Sequence, residues 1–333
     1  MLKLGLLGAG FIGRIHAAAL DQIDGVQLVA IADSNAQAAD DLARAYHARA
    51  YETVEDLIQA PDIEVVDVCL PTFLHEYSVS RAAAEGKHII CEKPLALTKA
   101  EAERMAAAVD SAGVHFMVAQ VLRFSPEYVA IKNLVQDQSL GRPLMTVAYR
   151  LEEPRAMEWI KDPALSGGAV LDLHVHDLDF LYSIFGMPQA VCAVGVQSDT
   201  GAWDHVVTSL DFAAVKGSAE ASYLMPVGYP FSVGFRLVCT KGSVEYRSRV
   251  IRMDGERHPE RSELMVYRPG QPAYEVDTPD TDGYLAELRY FVDCLNRGRR
   301  PTVATMAEAL DVLDIVMAVQ EALSSGRVVH LAS

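Results

Sequence analysis

The residues that most restrict how this chain can fold are Gly8-Ala9-Gly10-Phe11-Ile12-Gly13, set between an apolar run at 2–7 and a helical pattern at 14–22. A short apolar run that passes straight into closely spaced glycines reads as a buried strand turning sharply into a helix. Gly8 permits the tight turn, Gly10 lets backbone approach a ligand at the helix N-terminus, and Gly13 lets the helix pack closely on the strand. A second apolar run at 26–32 ends at Asp33, 20 residues beyond Gly13. An acid in that position accepts hydrogen bonds from the adenosine ribose of a dinucleotide. Gly8, Gly10, Phe11, Ile12, Gly13, Asp33 and Ser34 are therefore the expected cofactor contacts of the opening unit. The Asp33 carboxylate repels a 2′-phosphate, and Ser34-Asn35 supplies no arginine to pair with one, so NAD is expected over NADP.

The alternation continues. Helical patterns at 36–46, 53–57, 76–85 and 99–112 separate strand-like runs at 48–51, 65–70, 88–91 and 114–119. Strand–helix alternation on this scale predicts a doubly wound parallel sheet, with ligands at the carboxyl ends of its strands. Three groups fall at those ends: Pro71-Thr72 with His75, Glu92-Lys93-Pro94, and Gln120 with Arg123. Pro71, Thr72, His75, Glu92, Lys93 and Gln120 join the expected cofactor site, and Arg123 is a candidate for the substrate. Pro94 restricts the conformation of Lys93, which is placed to donate a hydrogen bond to a substrate oxygen.

Past residue 122 the texture changes, which divides the chain into a dinucleotide-binding domain at 1–122 and a second domain at 123–333. A helix at 127–136 and a strand at 144–151 precede a loop at 152–166 that carries Arg155, expected to face solvent, and Trp159. Strand-like runs at 190–197, 205–212, 218–224, 232–239, 242–246, 263–267 and 273–276 follow a helix and predict an antiparallel meander. Apolar residues in both phases of 191–196 imply that the second face of this sheet is covered by another copy of the chain, so a homo-oligomer is expected, a dimer or tetramer joined through the open sheet. Helices at 284–295, opening near Tyr284, and 305–323 and a strand at 327–331 close the chain.

The helix that opens at Gly167-Gly168-Ala169 carries Asp172, His176 and Asp179. In an α-helix these positions share one face. A carboxylate and an imidazole one turn apart can perform proton chemistry near neutral pH. The same three residues could ligate a divalent cation, but hydride transfer to a nicotinamide needs none, and no metal is assigned. His174 points away from His176 and is given a structural role.

Composition narrows the partners. A formal net charge of -16 argues against nucleic acid and anionic membrane surfaces. The five cysteines are scattered without metal-type spacing, which reads as reduced thiols of a cytoplasmic protein. No apolar run reaches the roughly 18 residues of a membrane span, and the first strand leaves no room for a secretory leader.

The stretch Glu85-Gly86-Lys87-His88-Ile89-Ile90-Cys91-Glu92-Lys93-Pro94-Leu95-Ala96 resembles the signature of the Gfo/Idh/MocA family, the glucose–fructose oxidoreductase and inositol dehydrogenase relatives. The resemblance extends over nearly the whole chain, through the glycine turn, Pro71-Thr72 with His75, the Gly-Gly opening of the helix with Asp172 and His176, and the closing segment. It implies a Rossmann domain followed by an α+β domain with a large, mostly antiparallel open sheet. It also implies NAD(P)-dependent oxidation or reduction of a sugar, cyclitol or related alcohol. Lys93 matches the motif lysine, and Asp172 and His176 match the aspartate and histidine of inositol-dehydrogenase-like members. The usual triple glycine is Gly167-Gly168-Ala169 here.

The expected activity is thus hydride transfer between a secondary alcohol of an inositol-type polyol and NAD. Lys93, Asp172 and His176 are the catalytic candidates; Arg123, Trp159 and Tyr284 join them at the substrate. An aldose or sugar-acid dehydrogenase and a non-catalytic dinucleotide-binding regulator are the alternatives.

Overall fold

The computed structural model describes residues 1–253 and 256–331. The chain runs β1 (Leu2–Leu7), α1 (Phe11–Leu20), β2 (Val26–Ala32), α2 (Ala36–Ala45), β3 (Arg49–Tyr51), α3 (Val54–Gln59), β4 (Val65–Val68), α4 (His75–Ala84), β5 (His88–Glu92), α5 (Lys99–Ala112) and β6 (Phe116–Ala119). These six strands are all parallel, in the order β3-β2-β1-β4-β5-β6. The order reverses between β1 and β4, the position at which open parallel sheets hold ligands at the carboxyl ends of their strands. Helix boundaries follow local chemistry. Asn35 and Thr53 accept the backbone N–H three residues on, and α5 opens with a Thr98/Glu101 capping box and closes at Gly113 in the left-handed region.

There follow α6 (Pro126–Gln136), β7 (Pro143–Leu151), α7 (Glu158–Lys161), α8 (Pro163–Ser166), α9 (Val175–Phe185), β8 (Ala190–Gln197), β9 (Trp203–Phe212), β10 (Val215–Ser222), β11 (Phe231–Cys239), β12 (Gly242–Met253), β13 (Glu256–Pro259), β14 (Glu263–Tyr267) and β15 (Tyr274–Glu275). Helices α10 (Gly283–Asn296) and α11 (Met306–Ser325) and strand β16 (Val329–His330) end the chain. The second sheet runs β15-β14-β12-β11-β7-β10-β9-β8-β16, with β13 paired to β12. Only β7 and β10 pair in parallel among the described residues; the other pairs are antiparallel, which agrees with the expected open, mostly antiparallel sheet. One face packs on α6 and α9 through Tyr128, Phe180 and Phe235, whose rings meet edge to face. Beneath them the Arg150 guanidinium donates two hydrogen bonds to Asp177, at 3.0 and 3.1 Å. The other face of β8 presents Cys192, Val194 and Val196 uncovered.

The structure divides into two compact units, but not at residue 122. The first comprises Met1–Ser125 and Thr281–Leu310, the second Pro126–Asp280 and Asp311–Ser333. Segment 281–310, which the sequence reading leaves in the second domain, returns to the first because α10 buries Leu288, Phe291 and Val292 in the core that α1 and the parallel sheet share. Chain order alone cannot show such a return. The expected loop at 152–166 also departs from the structure, since it contains the two short helices α7 and α8. Helix α1 begins at Phe11 rather than at 14, so Phe11 and Ile12 lie in its first turn.

Candidate active site

In the first unit, the glycine turn is built as its spacing implies. Gly8 has φ +103°, and a Cβ there would meet the Cys69 carbonyl oxygen at 2.4 Å. A Cβ on Gly13 would lie 1.9 Å from the Gly8 carbonyl oxygen. Gly10 differs: nothing lies within 4 Å of where its Cβ would stand. Gly10 is also the N-cap of α1, with no side chain accepting from the first-turn amides and no acid in that turn. An uncapped helix start with open space above a glycine is a ready site for a pyrophosphate.

Asp33 is clasped beside this turn. Its two carboxylate oxygens accept backbone N–H groups from Ala9 at 2.7 Å and Asn35 at 2.8 Å. That fixes the carboxylate at the end of β2, half-exposed, with lone pairs left for ribose hydroxyls. Ser34 beside it is exposed. These residues fit a dinucleotide.

The other first-unit candidates sort into two kinds. Lys93 is half-buried at the end of β5, and its backbone N–H donates to the Glu92 carboxylate at 3.0 Å. Pro71 and Tyr284 are half-buried, while Thr72 and Gln120 are buried. The Asp282 side chain caps the start of α10 by accepting the Tyr284 amide. His75, expected at the cofactor, is fully buried. Its ring nitrogens lie 2.9 Å from the Pro94 carbonyl oxygen and 2.8 Å from that of Leu70, and burial lowers its pKa. It ties the Lys93-Pro94 turn to the loop after β4, a positioning task rather than ligand contact. Arg123, expected at the substrate, is also buried, and its guanidinium donates to Glu308 at 2.6 Å. A side chain enclosed and paired in this way anchors the start of α11.

The second unit carries the remaining candidates, and the local geometry differs from the expected α-helix. Residues Val170–His174 form a π-helical turn before α9 begins. The wider turn shifts the phase of Asp172 relative to His176, while His176 and Asp179 keep their α-helical spacing within α9. Their ligand atoms form no convergent cation group among the described residues. Gly167 and Gly168 have φ of +74° and +67°, but Ala169 sits at −60°, open to any residue. The third glycine of the family pattern is therefore dispensable here.

Asp172 is nearly buried and accepts a hydrogen bond of 2.5 Å from the Tyr223 hydroxyl at the end of β10. Burial, followed by the Asp172 charge, raises the Tyr223 pKa well above its usual value. The phenol therefore remains a donor. The Arg155 guanidinium lies over the Tyr223 ring at 5.6 Å and pairs with Glu152 at 2.7 Å. Arg155 is thus held by partners rather than facing solvent. Trp159 packs with Ile160, Leu173 and Tyr223 in a small apolar cluster. His176 is half-buried and Asp179 buried. His174 is fully buried with Nε2 2.9 Å from the Thr208 hydroxyl, in agreement with its structural role. Tyr223 and Glu152 escaped the sequence reading because nothing local marks them; strand pairing brings them near Asp172.

Comparison with known proteins agrees with this arrangement. Residues 2–120 match the model of an oxidoreductase family with an NAD-binding Rossmann fold, and residues 128–245 match the GFO/IDH/MocA C-terminal domain. An inositol 2-dehydrogenase of Rhizobium meliloti is 29% identical over 314 residues, covering 89% of each chain. An aldose–aldose oxidoreductase from Caulobacter crescentus, solved with glycerol, superposes with a TM-score of 0.86 at 25% identity over 99% of each chain. A levoglucosan dehydrogenase solved with NADH and levoglucosan gives 0.83, also at 25% identity over 99% of each chain. Both domains of one family, in order, on a chain with a bare Gly10 and a clasped Asp33, lead to one conclusion: this protein is a member of the Gfo/Idh/MocA oxidoreductase family, with an NAD-binding Rossmann domain.

Proposed function

We propose that this chain is an NAD-dependent dehydrogenase that moves a hydride between a secondary alcohol of a polyhydroxy substrate, an inositol-type cyclitol foremost, and the nicotinamide. The observation that carries this reading is a pairing within one chain. An uncapped glycine turn with Asp33 clasped beside it accompanies a buried carboxylate, Asp172, held by Tyr223 four residues before His176.

NAD, when bound, supplies the hydride acceptor. The α1 amides and Gly10 would hold its pyrophosphate, and Asp33 would accept its ribose hydroxyls and disfavour a 2′-phosphate. His176 takes the proton of the substrate hydroxyl. Lys93, which matches the family's motif lysine, donates a hydrogen bond to the substrate and stabilises developing negative charge. Asp172, fixed by Tyr223, favours the charged imidazolium that His176 becomes. The similarity to an inositol 2-dehydrogenase favours a cyclitol. The aldose–aldose oxidoreductase and the levoglucosan dehydrogenase place aldoses and anhydrosugars on the same test panel.

The test is a panel of inositols, aldoses, anhydrosugars and sugar acids, followed by nicotinamide absorbance with NAD and with NADP. At least one inositol should turn over, and NAD should be preferred. Tight NAD binding without turnover on any member would replace this reading with a regulatory one. On the active substrate, His176→Ala should lower kcat by about 10²–10⁴-fold; near-normal turnover would remove His176 from the mechanism.

We also propose self-association through the open sheet. Val194 and Val196 are 68% and 57% exposed on one face of β8, beside Cys192, an apolar strip that a second copy would cover. Light scattering at micromolar concentration should give a multiple of the chain mass; a monomer would end this proposal.

A further inference from the structure

Beneath the cofactor-binding edge of the first unit lies a cluster that hydride transfer does not use. His16 on α1, Asp67 on β4, Glu92 at the end of β5 and Glu287 on α10 meet there, each buried. Asp67 interrupts an otherwise apolar central strand, and Glu287 sits on the core-facing side of an amphipathic helix. A carboxylate in either place is costly unless a partner compensates it.

The two sides of the His16 ring are served differently. At Nδ1 the arrangement is complete: Asp67 lies at 2.9 Å and the Cys69 thiol at 3.3 Å, and that thiol in turn donates to Asp67. At Nε2 it is not. Glu92 Oε1 is 3.2 Å away and Glu287 Oε1 4.0 Å away. Neither makes a directed hydrogen bond to the ring, and both Glu287 oxygens lack any hydrogen-bond partner among the described residues.

We propose that His16 Nε2, Glu92 and Glu287 bind one divalent first-row transition-metal ion. The three ligand atoms lie within 4.8 Å of one another. Ligands held tetrahedrally at about 2.1 Å from an ion are about 3.4 Å apart; Glu92 stands 3.2 Å from Nε2, and Glu287, at 4.0 Å, needs only a small inward shift. An imidazole and carboxylates suit zinc and its neighbours. Asp67 completes the pattern of a metal-binding histidine, because a carboxylate on Nδ1–H fixes the tautomer that leaves Nε2 free to ligate. The rival occupant is a proton. Burial and the Glu92 charge push Glu287 up toward its neutral form. A proton on Glu287, however, leaves its O–H unsatisfied as placed, since neither Glu287 oxygen has a hydrogen-bond partner among the described residues. The ion satisfies Glu287, Glu92 and the ring together. The site adjoins Lys93, whose backbone N–H donates to the Glu92 carboxylate at 3.0 Å, and uses neither Asp172 nor His176.

The experiment uses the full chain. Protein purified without chelator is assayed for metal, stripped, and titrated with Zn²⁺ against a chromogenic chelator, and the loaded protein is examined by zinc X-ray absorption. About one equivalent should bind through nitrogen and oxygen alone. Asp67→Asn should weaken binding by about 10–100-fold, and Glu287→Gln should abolish it. No uptake by the wild type, sulfur among the ligands, or equal uptake by wild type and Glu287→Gln would each overturn the proposal. The wild-type stoichiometry and ligand identity decide the matter even where a variant does not fold.

Discussion

The glycine turn and the segment around Asp172 are the two regions to which the proposed activity is assigned, and they are made in opposite ways. The turn works with backbone: Gly8 and Gly13 are glycine because neighbouring carbonyls leave no room for a Cβ, and Gly10 is glycine although nothing crowds it. The Asp172 region works with side chains drawn from distant strands, as the Tyr223 hydroxyl shows. The first is a local code and is fixed by spacing. The second is a tertiary assembly, so its members are separable by substitution. The contrast predicts which measurements each substitution should move.

The largest effect belongs to the second region. His176→Ala should leave NAD affinity within about twofold while kcat falls by the 10²–10⁴-fold expected for a lost proton acceptor. A parallel loss of NAD binding would mean that the two regions are not separable.

Within the turn, two glycines that read alike in sequence should behave differently. Gly13→Ala forces a methyl into the Gly8 carbonyl oxygen and should cost about 3 kcal/mol or more of stability. Gly10→Ala meets no protein atom and, from a φ of −73°, needs no unusual backbone. Its stability should stay within about 0.5 kcal/mol of wild type. Its Kd for NAD should nevertheless rise about tenfold or more, about 1.4 kcal/mol, because the methyl stands where the pyrophosphate approaches. Calorimetry and equilibrium unfolding on the two variants separate these outcomes. An unchanged Kd for Gly10→Ala would show that this face of the turn is not the binding face.

Tyr223→Phe tests whether the buried donor serves Asp172 or only the core. Removing a hydrogen bond to a charged group should cost about 1.5–3 kcal/mol of stability. With the Asp172 carboxylate less well fixed, kcat should also fall about tenfold, equivalent to about 1.4 kcal/mol of barrier, while the KM for NAD stays constant. Equal stability loss with unchanged kcat would make Tyr223 purely structural.

The same contrast explains what could be read in advance. The parallel sheet, the glycine turn and Asp33 were legible because each rests on neighbours within one βαβ unit. Strands such as Val26–Ala32 and Ala190–Gln197 and helix Lys99–Ala112 have the expected limits because caps, glycines or alternation mark them. The π turn at Val170–His174 was not legible, because its residues are ordinary for an α-helix. His75 and Arg123 read as ligand contacts because they follow strand ends, yet they serve carbonyls and Glu308. A strand-end position tells where a residue starts, not which way its side chain turns. Asp67 and Glu287 were visible as polar residues among apolar ones, but their meeting at His16 depends on α10 returning to the first unit.

The last effect is on stability alone and concerns the imidazole beside the site rather than in it. Burial, with Arg150 adding to it, lowers the His174 pKa to about 3 from an ordinary 6.5. Between those values an unfolded chain takes up a proton that the folded chain refuses. The stability that neutral His174 contributes is therefore fully present above about pH 6.5 and is lost as pH falls toward 3, by up to about 1.4 kcal/mol per pH unit. From pH 7 to pH 5 that amounts to roughly 2 kcal/mol. His174→Gln cannot titrate, so its urea midpoint should fall less over this interval than that of the wild type, whatever its stability at pH 7. Groups common to both proteins cancel in the comparison. If the two slopes match, His174 is not held neutral, and the second region tolerates a buried positive charge facing the Arg150 guanidinium, which its side-chain construction should forbid.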